Sequence, residues 1–479
     1  MRNDYDAVEY PHAPITTADP DRIAVMGELF GMRPVAPSRC RMLELGCGSG
    51  GNLIPLADRH PGSTFLGVDL SPAAIAQGQR RIDALGLTNL RLEQMDVMDF
   101  PAAAGEFDYI VAHGLLSWVP PPVRERVLAI AGRHLAPQGM AYVSYNAYPG
   151  CHMRAMWRDM MRFHSARFDA PRDKIEQARR MLQLVAHGTG RDDLAHRLAQ
   201  EESARLDETD DAVIFHDDLA PAWQPYYFHE FAALAAGHDM QFVAEATYSD
   251  MLPTAIEGTA AQALRAMQGA DPLAFQQYLD FFKLRRFRRS LLCRAALQLQ
   301  RIVDPALMMR FHYSAPIDAV APPQQPAALA YRNRRNEVTV TTRDPAAQAA
   351  LRRLAEAWPA SLPFDELAAG AADPQALAAT LHSYYAASFF NVHLEPRHAA
   401  RRAGERPLVW RVARLEASLG HTVPHLHHGV IRVDEAATRG LLQAMDGTRS
   451  RDELAAICGG GVALDTLLER MASAGILLA

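Results

Sequence analysis

A glycine-rich segment at residues 43–51, Leu-Glu-Leu-Gly-Cys-Gly-Ser-Gly-Gly, is the sequence feature that most constrains the fold of this chain. It follows a strand-like run at 42–45 and precedes a helical stretch at 52–59. Glycines allow a tight turn and let a ligand approach the backbone, while the helix that follows presents free N–H groups. Dinucleotide-binding turns and purely structural turns have a similar pattern, so the segment predicts the turn and leaves its ligand open.

Short apolar runs alternate with helical stretches from residue 41 to 148. Such alternation indicates right-handed βαβ crossovers and a largely parallel sheet. The strand candidates are residues 42–45, 64–68, 90–94, 107–112 and 140–144, and the helix candidates are 52–59, 73–85 and 123–135. The pattern predicts a doubly wound, Rossmann-like α/β domain over residues 1–150.

The pattern changes after residue 150. Met, Arg, Ala and Leu at helical spacing over 153–206 predict an inserted helical lobe at 151–225. A helix at 228–237 and a strand at 241–245 predict that the sheet resumes. We expect the remainder of a seven-stranded sheet at 226–315, with helices over 260–303 and a last strand at 306–313.

The C-terminal third predicts two small α+β modules of the winged-helix-like kind, at 325–405 and 406–479. A proline- and glutamine-rich stretch at 315–328 has the composition of a linker and sets the boundary. The elements expected beyond it are strands at 336–342 and 429–433, and helices near 435–445, 451–456 and 464–474.

Length and composition restrict the class of protein. The 479 residues suggest several domains, and 49% apolar with 22% charged residues are ordinary globular values. No apolar run approaches the roughly 20 residues of a membrane helix, so no membrane insertion is predicted. A net charge of −6 disfavours nucleic acid as a partner, because its binding needs a basic face.

The termini and cysteines point to the cytoplasm. The opening residues, Met-Arg-Asn-Asp-Tyr-Asp, lack the basic and then apolar order of an export signal, which predicts a cytoplasmic protein. The five cysteines are scattered and lack the close pairs of a disulfide framework or a zinc site. We therefore expect free thiols and no bound metal.

Two carboxylates follow strand candidates and sharpen the prediction for the ligand. Asp69 closes the second strand, where a carboxylate can accept hydrogen bonds from both ribose hydroxyls of a nucleoside. Asp96 and Val97 follow the third strand and offer an acceptor for an adenine amino group and an apolar surface for its ring. A helix cap at Asp69 and an ordinary loop carboxylate at Asp96 are the structural alternatives.

The glycine segment resembles the first motif of class I S-adenosylmethionine-dependent methyltransferases, and Asp69 and Asp96 follow it at the family's ribose and adenine positions. The resemblance covers about residues 20–150. The resemblance implies that S-adenosylmethionine is the cofactor and that Glu44 lies near its amino-acid end. The cofactor contacts that it implies are Tyr10, Glu44, Gly46, Cys47, Gly48, Gly50, Asn52, Asp69, Leu70, Asp96, Val97, His113 and Gly114.

Further segments resemble bacterial methyltransferases that carry a methyltransferase regulatory domain, a group that includes protein-lysine methyltransferases of rickettsiae. The similarity runs to about residue 315 and implies a protein ε-amine as substrate. Members of the group often carry Thr-His directly before Pro-Asp-Arg. This chain has Ala18-Asp19 at that place, which leaves the role of the segment open. The segments are Tyr-Asp-Ala-Val-Glu-Tyr-Pro at 5–11, Asp-Pro-Asp-Arg at 19–22, His-Gly-Leu-Leu-Ser-Trp-Val-Pro at 113–120, Ser-Tyr-Asn-Ala-Tyr-Pro-Gly at 144–150, Phe-His-Glu-Phe at 228–231 and Gln-Tyr-Leu-Asp-Phe at 277–281.

Methyl transfer is an in-line displacement, so the enzyme has to align donor and acceptor and exclude water. A lysine acceptor must lose its proton, which an apolar, aromatic-lined pocket favours. The aromatic candidates for this pocket are Tyr5, Tyr10, Trp118, Tyr145 and Tyr148, each with a place in the core as the alternative.

Two polar residues follow strands and complete the catalytic candidates, which are Tyr5, His113, Trp118, Asn146 and Tyr148. His113 follows the fourth strand, whose carboxyl end faces the cofactor in this fold class. Asn146 follows the fifth strand and can orient a nucleophile through its amide oxygen. A satisfied buried histidine and a structural cap are the respective alternatives.

Two further clusters have weaker patterns. His421, His425, His427 and His428 lie close together in sequence, but lack Cys or acidic residues with the spacing of a metal site. The arginines between 285 and 294 interleave with Phe282 and Phe287 on what we expect to be a helix. A solvated or inter-subunit face is the first interpretation of that helix, and a site for an acidic peptide or phosphate is the second.

The leading hypothesis is a protein-lysine N-methyltransferase. Its helical lobe would form a homodimer contact or cover the substrate, and its C-terminal modules would recognise a protein or peptide substrate. A small-molecule or peptide N- or O-methyltransferase is the alternative within the enzyme class. A regulator that binds the cofactor without transferring its methyl group is the alternative from another class.

Overall fold

A seven-stranded sheet forms the centre of the catalytic half of the computed structural model, which describes residues 13–188, 193–254, 256–321, 327–458 and 461–479. Its strands are β1 (Arg41–Leu45), β2 (Thr64–Asp69), β3 (Leu90–Gln94), β4 (Phe107–Ala112), β5 (Leu135–Asn146), β6 (Met240–Glu245) and β7 (Phe287–Arg294). Their order is β3-β2-β1-β4-β5-β7-β6, and β7 alone is antiparallel to its neighbours. The predicted seven-stranded, Rossmann-like sheet is confirmed.

Helices cover both faces of this sheet, so its central strands β4 and β5 are buried along most of their length rather than alternating. Every residue of β5 from 139 to 146 is buried, for example. The helices of this part are α1 (Pro20–Leu29), α2 (Leu53–Arg59), α3 (Pro72–Leu85) and α4 (Pro121–His134). Local sequence sets their ends: α3 begins at a Ser71 cap with Pro72 in its first turn and stops at Gly86, which has a φ of 62°.

The strand order places a crevice at the carboxyl ends of β1 and β4. The chain leaves β1 toward β2 on one side, and β4 lies on the other side of β1, so the connections diverge there. In open α/β sheets such a switch point is where ligands bind. The segments that follow β1, β2, β3, β4 and β5 all begin at this edge, because these strands are parallel.

The predicted helical lobe is confirmed as an insertion between β5 and β6. Its helices are α5 (Cys151–Ser165), α6 (Pro171–Gly188), α7 (Leu194–Asp207) and the short α8 (Asp211–Val213). The lobe has its own apolar core, which includes Trp157, Met161, Leu182 and Ile214. After it come α9 (Phe228–Ala236), α10 (Gly258–Ala270) and α11 (Pro272–Lys283).

Two predictions for this region are wrong. The segment 260–303, for which helices were expected, leaves the helical conformation at Leu284, which has a φ of 45°, and then forms strand β7. The run at 306–313 does not join the main sheet, but forms a 3₁₀ helix (Pro305–Arg310) and a short strand β8 (His312–Ser314) elsewhere. The seventh strand is therefore the arginine-rich segment that we expected to be helical.

Arg288 explains why the pattern misled. Its side chain is fully buried inside the sheet, where it donates to Glu245 Oε1 at 2.6 Å and to Asp280 Oδ2 at 2.7 Å. A third bond reaches Gln276 O at 3.0 Å, and the guanidinium lies 4.0 Å from the ring centre of Phe228. Periodicity treats arginine as a solvated residue, whereas these partners compensate its burial.

The C-terminal third forms smaller sheets. β8 pairs with β12 (Leu362–Pro363) and β13 (Asn391–His393), while β9 (Ile317–Val320), β10 (Leu329–Asn333) and β11 (Thr339–Thr342) form a second sheet, so the expected linker contains a strand. β14 (Thr422–His425) and β15 (Gly429–Arg432) form a hairpin. The helices are α12 (Pro345–Ala357), α13 (Phe364–Leu367), α14 (Pro374–Ala386), α15 (Arg411–Leu419), α16 (Ala436–Ala444), α17 (Arg451–Cys458) and α18 (Gly461–Ala474). Within the described residues, no helix has both the length and the apolarity needed to cross a membrane.

The buried arginine generates a stability prediction. We expect Arg288→Ala to lower the free energy of unfolding by about 3–5 kcal/mol, because it leaves Glu245 and Asp280 as uncompensated buried charges. Urea denaturation followed by circular dichroism measures this loss. Arg289→Ala is the matched control, since that side chain is 37% exposed and should change stability by less than about 1 kcal/mol. Equal effects of the two substitutions would contradict the argument.

Candidate active site

The glycine turn after β1 is confirmed. Gly46, Gly48 and Gly50 have φ angles of 75°, 54° and 75°, in the left-handed region that favours glycine. The N–H of Gly46 donates to Val68 O at 2.9 Å, which ties the turn to β2. A Cβ at Gly50 would lie 2.9 Å from Leu92 Cδ1, so the turn packs against β3 without room for a side chain.

Asp69, the last residue of β2, joins the glycine turn to the start of α3 through its two carboxylate oxygens. Its Oδ2 accepts from the N–H of Gly48 at 2.8 Å, and its Oδ1 accepts from the N–H of Ser71 at 2.9 Å. Cys47 points the other way, because a Cβ at Gly67 would lie 2.7 Å from its sulfur. The side chain of Cys47 therefore packs against β2, and its backbone faces the crevice. Burial raises the pKa of the Cys47 thiol well above its usual value, so the thiol stays protonated.

Glu44 is a buried carboxyl at the base of the turn. Its Oε1 accepts from Asn52 Nδ2 at 3.2 Å. Its Oε2 is buried and has no hydrogen-bond partner among the residues that the structure describes. Burial raises the pKa of Glu44 to about 8, and Asp69 adds to this increase, whereas the bond from Asn52 opposes it. A nearby cation would give this oxygen a partner and favour the ionised carboxylate, which burial alone disfavours.

Asn52 begins the helical segment after the turn and orients Glu44. Its Oδ1 accepts from the N–H of Ile15 at 3.0 Å and contacts His428 Nε2 at 2.7 Å. With its oxygen held by these two groups, the amide must direct Nδ2 at Glu44. Asn52 therefore acts on the crevice through Glu44.

Asp96 and Val97 lie beside Asp69 at the crevice, because Gln94 pairs with Asp69 across β2 and β3. Asp96 is exposed and its Oδ1 accepts from the N–H of Met98 at 2.9 Å, so it also caps a 3₁₀ turn. Val97 is buried at the base of that turn. Leu70, after Asp69, is 53% exposed and presents an apolar side chain to solvent near the same edge.

His113 follows β4 and lies in an aromatic environment. Its Nδ1 is 3.0 Å from Tyr142 Oη, and that hydroxyl is 3.0 Å from Thr17 Oγ1. The imidazole stacks on Tyr142 and meets Phe287 edge-on. Burial lowers the pKa of His113 to about 4, with a smaller contribution from Arg289, so the ring is neutral at pH 7.

Gly114 leaves open space at the end of β4. It has a φ of 61°, and its N–H donates to Ser144 Oγ at 2.8 Å. A Cβ built on Gly114 would meet no described heavy atom within 4 Å. The space beside Gly114 at the end of β4 is therefore open.

Asn146 closes β5 with an unsatisfied amide. Its N–H donates to Ser117 Oγ at 2.9 Å, and its carbonyl oxygen accepts from the N–H of Tyr226 at 3.0 Å. The side-chain Nδ2 is buried without an acceptor in the described part of the chain. A buried amide that lacks a partner costs stability and needs an explanation, which a bound ligand supplies.

Trp118 contacts a cation from the helical lobe. The guanidinium carbon of Arg158 lies 5.5 Å from the Trp118 ring centre and 4.5 Å from that of Trp223. Arg158 Nη2 also donates to Ala220 O at 2.9 Å. Trp118 thus joins the loop after β4 to the lobe, and one face of its ring already binds a cation of its own chain.

Tyr148 belongs to a partly exposed aromatic cluster where the lobe leaves the sheet. Its ring stacks on His152 with centres 4.1 Å apart and lies 5.3 Å from Tyr227. His152 Nε2 is 3.1 Å from Tyr227 Oη. The cluster offers aromatic faces at the entrance to the lobe.

The other tyrosine candidates differ. Tyr145 points into the core, where its ring stacks on Phe231 at 4.0 Å and its hydroxyl is 3.2 Å from Ser290 Oγ. The expectation that it lines a pocket is therefore wrong. Tyr5 and Tyr10 lie outside the described residues.

The histidine cluster near residue 425 forms an interface rather than a set of metal ligands. His425, His427 and His428 are buried, whereas His421 is half exposed beside Arg439. His427 stacks on Trp358 with ring centres 4.6 Å apart. Over the described ranges, no group of three or more His, Cys, Asp or Glu side chains has the arrangement of a metal site.

Sequence reasoning missed the residues that support the site. Tyr142, Ser144 and Ser117 hold His113, Gly114 and Asn146 in place. Ser117 and Ser144 lie in segments that carry the family resemblance but were given no role there, and Tyr142 lies in β5 outside those segments. Their hydroxyls in otherwise apolar segments were the available signal. His428 stood out only as one of four clustered histidines, and no sequence pattern indicates its contact with Asn52, which lies 376 positions away.

Comparison with known proteins identifies the parts of the chain. Residues 42–139 match the model of a methyltransferase domain, 210–294 that of a predicted methyltransferase regulatory domain, and 405–471 that of a PKMT C-terminal winged helix domain. The uncharacterized protein RP028 of Rickettsia prowazekii is 35% identical over 228 residues, which are 47% of this chain and 91% of that protein. The chain belongs to the family of S-adenosylmethionine-dependent methyltransferases.

Two more relatives extend this methyltransferase match. The uncharacterized protein RP789 of Rickettsia prowazekii is 35% identical over 316 residues, which cover 65% of this chain and 56% of RP789. The chain thus matches little more than half of that relative. The structure of PKMT2 from Rickettsia typhi in complex with AdoHcy superposes with a TM-score of 0.88 at 25% identity, over 98% of this chain and all of that one. The whole architecture, including the C-terminal modules, is shared.

The residues of the crevice fit S-adenosylmethionine. Glu44 Oε2 is an unpartnered buried oxygen that suits the ammonium group of the cofactor, and the space at Gly114 is open. Asp69 is an acceptor at the end of β2, where a ribose would lie. When bound, the cofactor supplies an activated methyl group on a sulfonium centre.

The raised pKa of Glu44 generates a prediction for cofactor affinity. A cationic amino group binds the ionised carboxylate, and that form declines as pH falls below about 8. We expect the Kd for S-adenosylhomocysteine to rise by up to about tenfold per pH unit between pH 8 and 6. Isothermal titration calorimetry across this range measures it. Glu44→Gln should bind weakly with a flat profile, and an unchanged slope in that variant would assign the titration to another group.

Proposed function

We propose that this methyltransferase transfers the methyl group of S-adenosylmethionine to a lysine side chain of a protein. The observation that carries the proposal is the match of the complete architecture to PKMT2, together with a PKMT winged helix domain at 405–471. PKMT denotes a protein-lysine methyltransferase. A shared set of C-terminal modules supports a shared class of substrate, because such modules add surface for a macromolecule beyond the catalytic sheet.

The cofactor roles follow from the carboxylates around the crevice. Glu44 binds the ammonium group, and Asp69 accepts hydrogen bonds from the ribose hydroxyls while its own bonds to Gly48 and Ser71 keep it in place. Asp96 accepts from the adenine amino group and Val97 packs beside the ring. An ionised Glu44, together with Asp69 and Asp96, also favours a cofactor that carries positive charge on its amino group and sulfur.

The residues after β4 and β5 act on the acceptor. His113 is neutral, so it does not repel the sulfonium and can accept a hydrogen bond from a lysine amine. Asn146 is buried, and its unpartnered amide fixes the position of a group that enters the crevice. Trp118 and Tyr148 supply aromatic surface that favours a deprotonated or methylated amine over free ammonium in water.

The proposal is tested by incubating the purified chain with methyl-labelled S-adenosylmethionine and a lysate of its own organism, followed by gel analysis and mass spectrometry. We expect label on lysines of a discrete protein. Asp69→Ala is the control, because loss of the ribose acceptor should abolish labelling. Label in small molecules alone would favour a metabolite methyltransferase, and tight cofactor binding without transfer would favour a regulator; either result overturns the proposal.

Trp118 generates a prediction that separates substrate from cofactor. We expect Trp118→Ala to lower kcat/KM for the labelled protein at least about tenfold, a loss of roughly 1.4 kcal/mol, while the affinity for S-adenosylhomocysteine stays within about twofold. Steady-state methylation and calorimetry measure the two quantities. Trp223→Ala removes the other aromatic partner of Arg158 and should retain most of the activity. If it fails equally, Trp118 acts through Arg158 rather than through the substrate.

We also propose a cytoplasmic homodimer in which the helical lobe forms the contact. Met156 and Phe163 lie seven positions apart on one face of α5 and are 49% and 79% exposed. Leu184 on α6 and Leu194 at the start of α7 add exposed apolar surface. Exposed apolar groups of this kind are typical of an interaction surface.

A further inference from the structure

The hairpin β14–β15 of the C-terminal module packs against the cofactor end of the catalytic sheet. Arg59 at the end of α2 donates from Nη1 to Leu426 O in the hairpin at 2.7 Å. A Cβ at Gly429 would lie 3.2 Å from Thr16 Oγ1, in the segment that precedes α1. The hairpin thus contacts both the N-terminal segment and the helix that follows the glycine turn.

His428, in this hairpin, reaches the site itself. Its side chain is fully buried, and its Nε2 lies 2.7 Å from Asn52 Oδ1. Asn52 Nδ2 in turn lies 3.2 Å from Glu44 Oε1. A chain of two hydrogen bonds therefore joins the C-terminal module to the carboxyl that faces the cofactor.

The direction of these bonds follows from the groups around Asn52. The N–H of Ile15 donates to Asn52 Oδ1, so this atom is an acceptor, and His428 must donate to it from Nε2. Burial holds the pKa of His428 well below its usual range, so the ring carries a single proton. Its Nδ1 has no hydrogen-bond partner in the described ranges, which is consistent with the proton on Nε2.

Loss of this donor would change Asn52. Two donors on Oδ1 fix the amide, because rotating it by 180° would place Nδ2 against both N–H groups. With His428 removed, the bond from Ile15 and the bond from Nδ2 to Glu44 still oppose that rotation, but the amide has lost the donor that lies 2.7 Å from its oxygen. A rotated amide would present an oxygen to the carboxyl of Glu44 and disfavour its ionised form.

We propose that His428 is a positioning residue for S-adenosylmethionine, by which the C-terminal module completes the cofactor site in cis. The proposal rests on the assignment of Glu44 to the cofactor's ammonium group. Because coupling free energy is reciprocal, a bound cofactor stabilises the docked hairpin by the same factor that the docked hairpin strengthens cofactor binding.

The test compares adjacent buried histidines in the full-length chain. His428→Leu removes the donor, His428→Gln keeps an N–H near the position of Nε2, and His427→Leu makes the same change beside it without touching Asn52. We expect His428→Leu to weaken binding of S-adenosylhomocysteine about tenfold by calorimetry, well below the Tm of each variant. His428→Gln should restore most of the affinity and His427→Leu should keep it. Equal losses in the two leucine variants would mean a structural role only and would overturn the proposal.

Two further measurements separate this proposal from the assignment of Glu44. Asn52→Ala should weaken binding to the same extent as His428→Leu, and the double variant should be no weaker than either one. If Asn52→Ala binds weakly while His428→Leu binds normally, the site stands and the role of His428 fails. If Glu44→Gln and Asn52→Ala both bind normally, the Glu44 assignment fails and takes the proposal with it.

Hydrogen exchange of the backbone at 425–430 tests the reciprocal effect of the cofactor on the hairpin. Exchange should slow with saturating S-adenosylhomocysteine in the wild type and lose this protection in His428→Leu. No change in the wild type would contradict reciprocity.

Discussion

A buried ion network holds the catalytic sheet and the C-terminal modules together. Arg397 donates from Nη2 to Asp19 and Asp21, at 2.8 Å in each case, and Asp19 also accepts from Arg59 at 3.1 Å. His393 Nδ1 lies 2.9 Å from Asp21 Oδ2, the oxygen that also accepts from Arg397. Burial alone would raise the pKa of both carboxyls, but Arg397 overcomes it and lowers that of Asp21 to about 2. The network therefore stays charged above about pH 4 and weakens only as pH falls toward 2.

The position of this network determines what it can support. Asp19 caps α1 beside the 3₁₀ turn that carries Thr17. Thr17 contacts the Tyr142 hydroxyl, which also contacts His113. Arg59 ends α2, and a second nitrogen of its guanidinium holds Leu426 in the hairpin. A buried charge without its partner is costly, so the modules cannot shift here without exposing or abandoning an ion pair. This gives the His428 contact a fixed frame, which a hydrogen bond across a mobile interface would lack.

The parts of the fold that sequence predicts are those encoded within a few residues. The turn at Gly46 to Gly50 and the first five strands are local patterns, because glycine, burial and helix caps act over one turn or strand. Arg288 was misjudged because its partners Glu245 and Asp280 are distant in sequence or lie on another element. Asn52 was predicted through resemblance, whereas His428, on which its orientation depends, belongs to a module that sequence places at the far end of the chain.

The electrostatics of the crevice show why distant support matters. Methyl transfer to an amine requires a cationic donor beside a neutral acceptor, so the site has to attract one positive charge and disfavour another. In the proposed site Glu44 attracts the cofactor only when ionised, and its pKa of about 8 means that the carboxyl is mostly protonated at pH 7 until a nearby cation stabilises its charge. His113 is kept neutral by burial, so it adds no positive charge beside the sulfonium. A single oriented amide, Asn52, favours ionisation of Glu44, and the residue that orients this amide comes from the C-terminal module. Cofactor affinity and the docking of that module are consequently linked through one hydrogen-bonded chain.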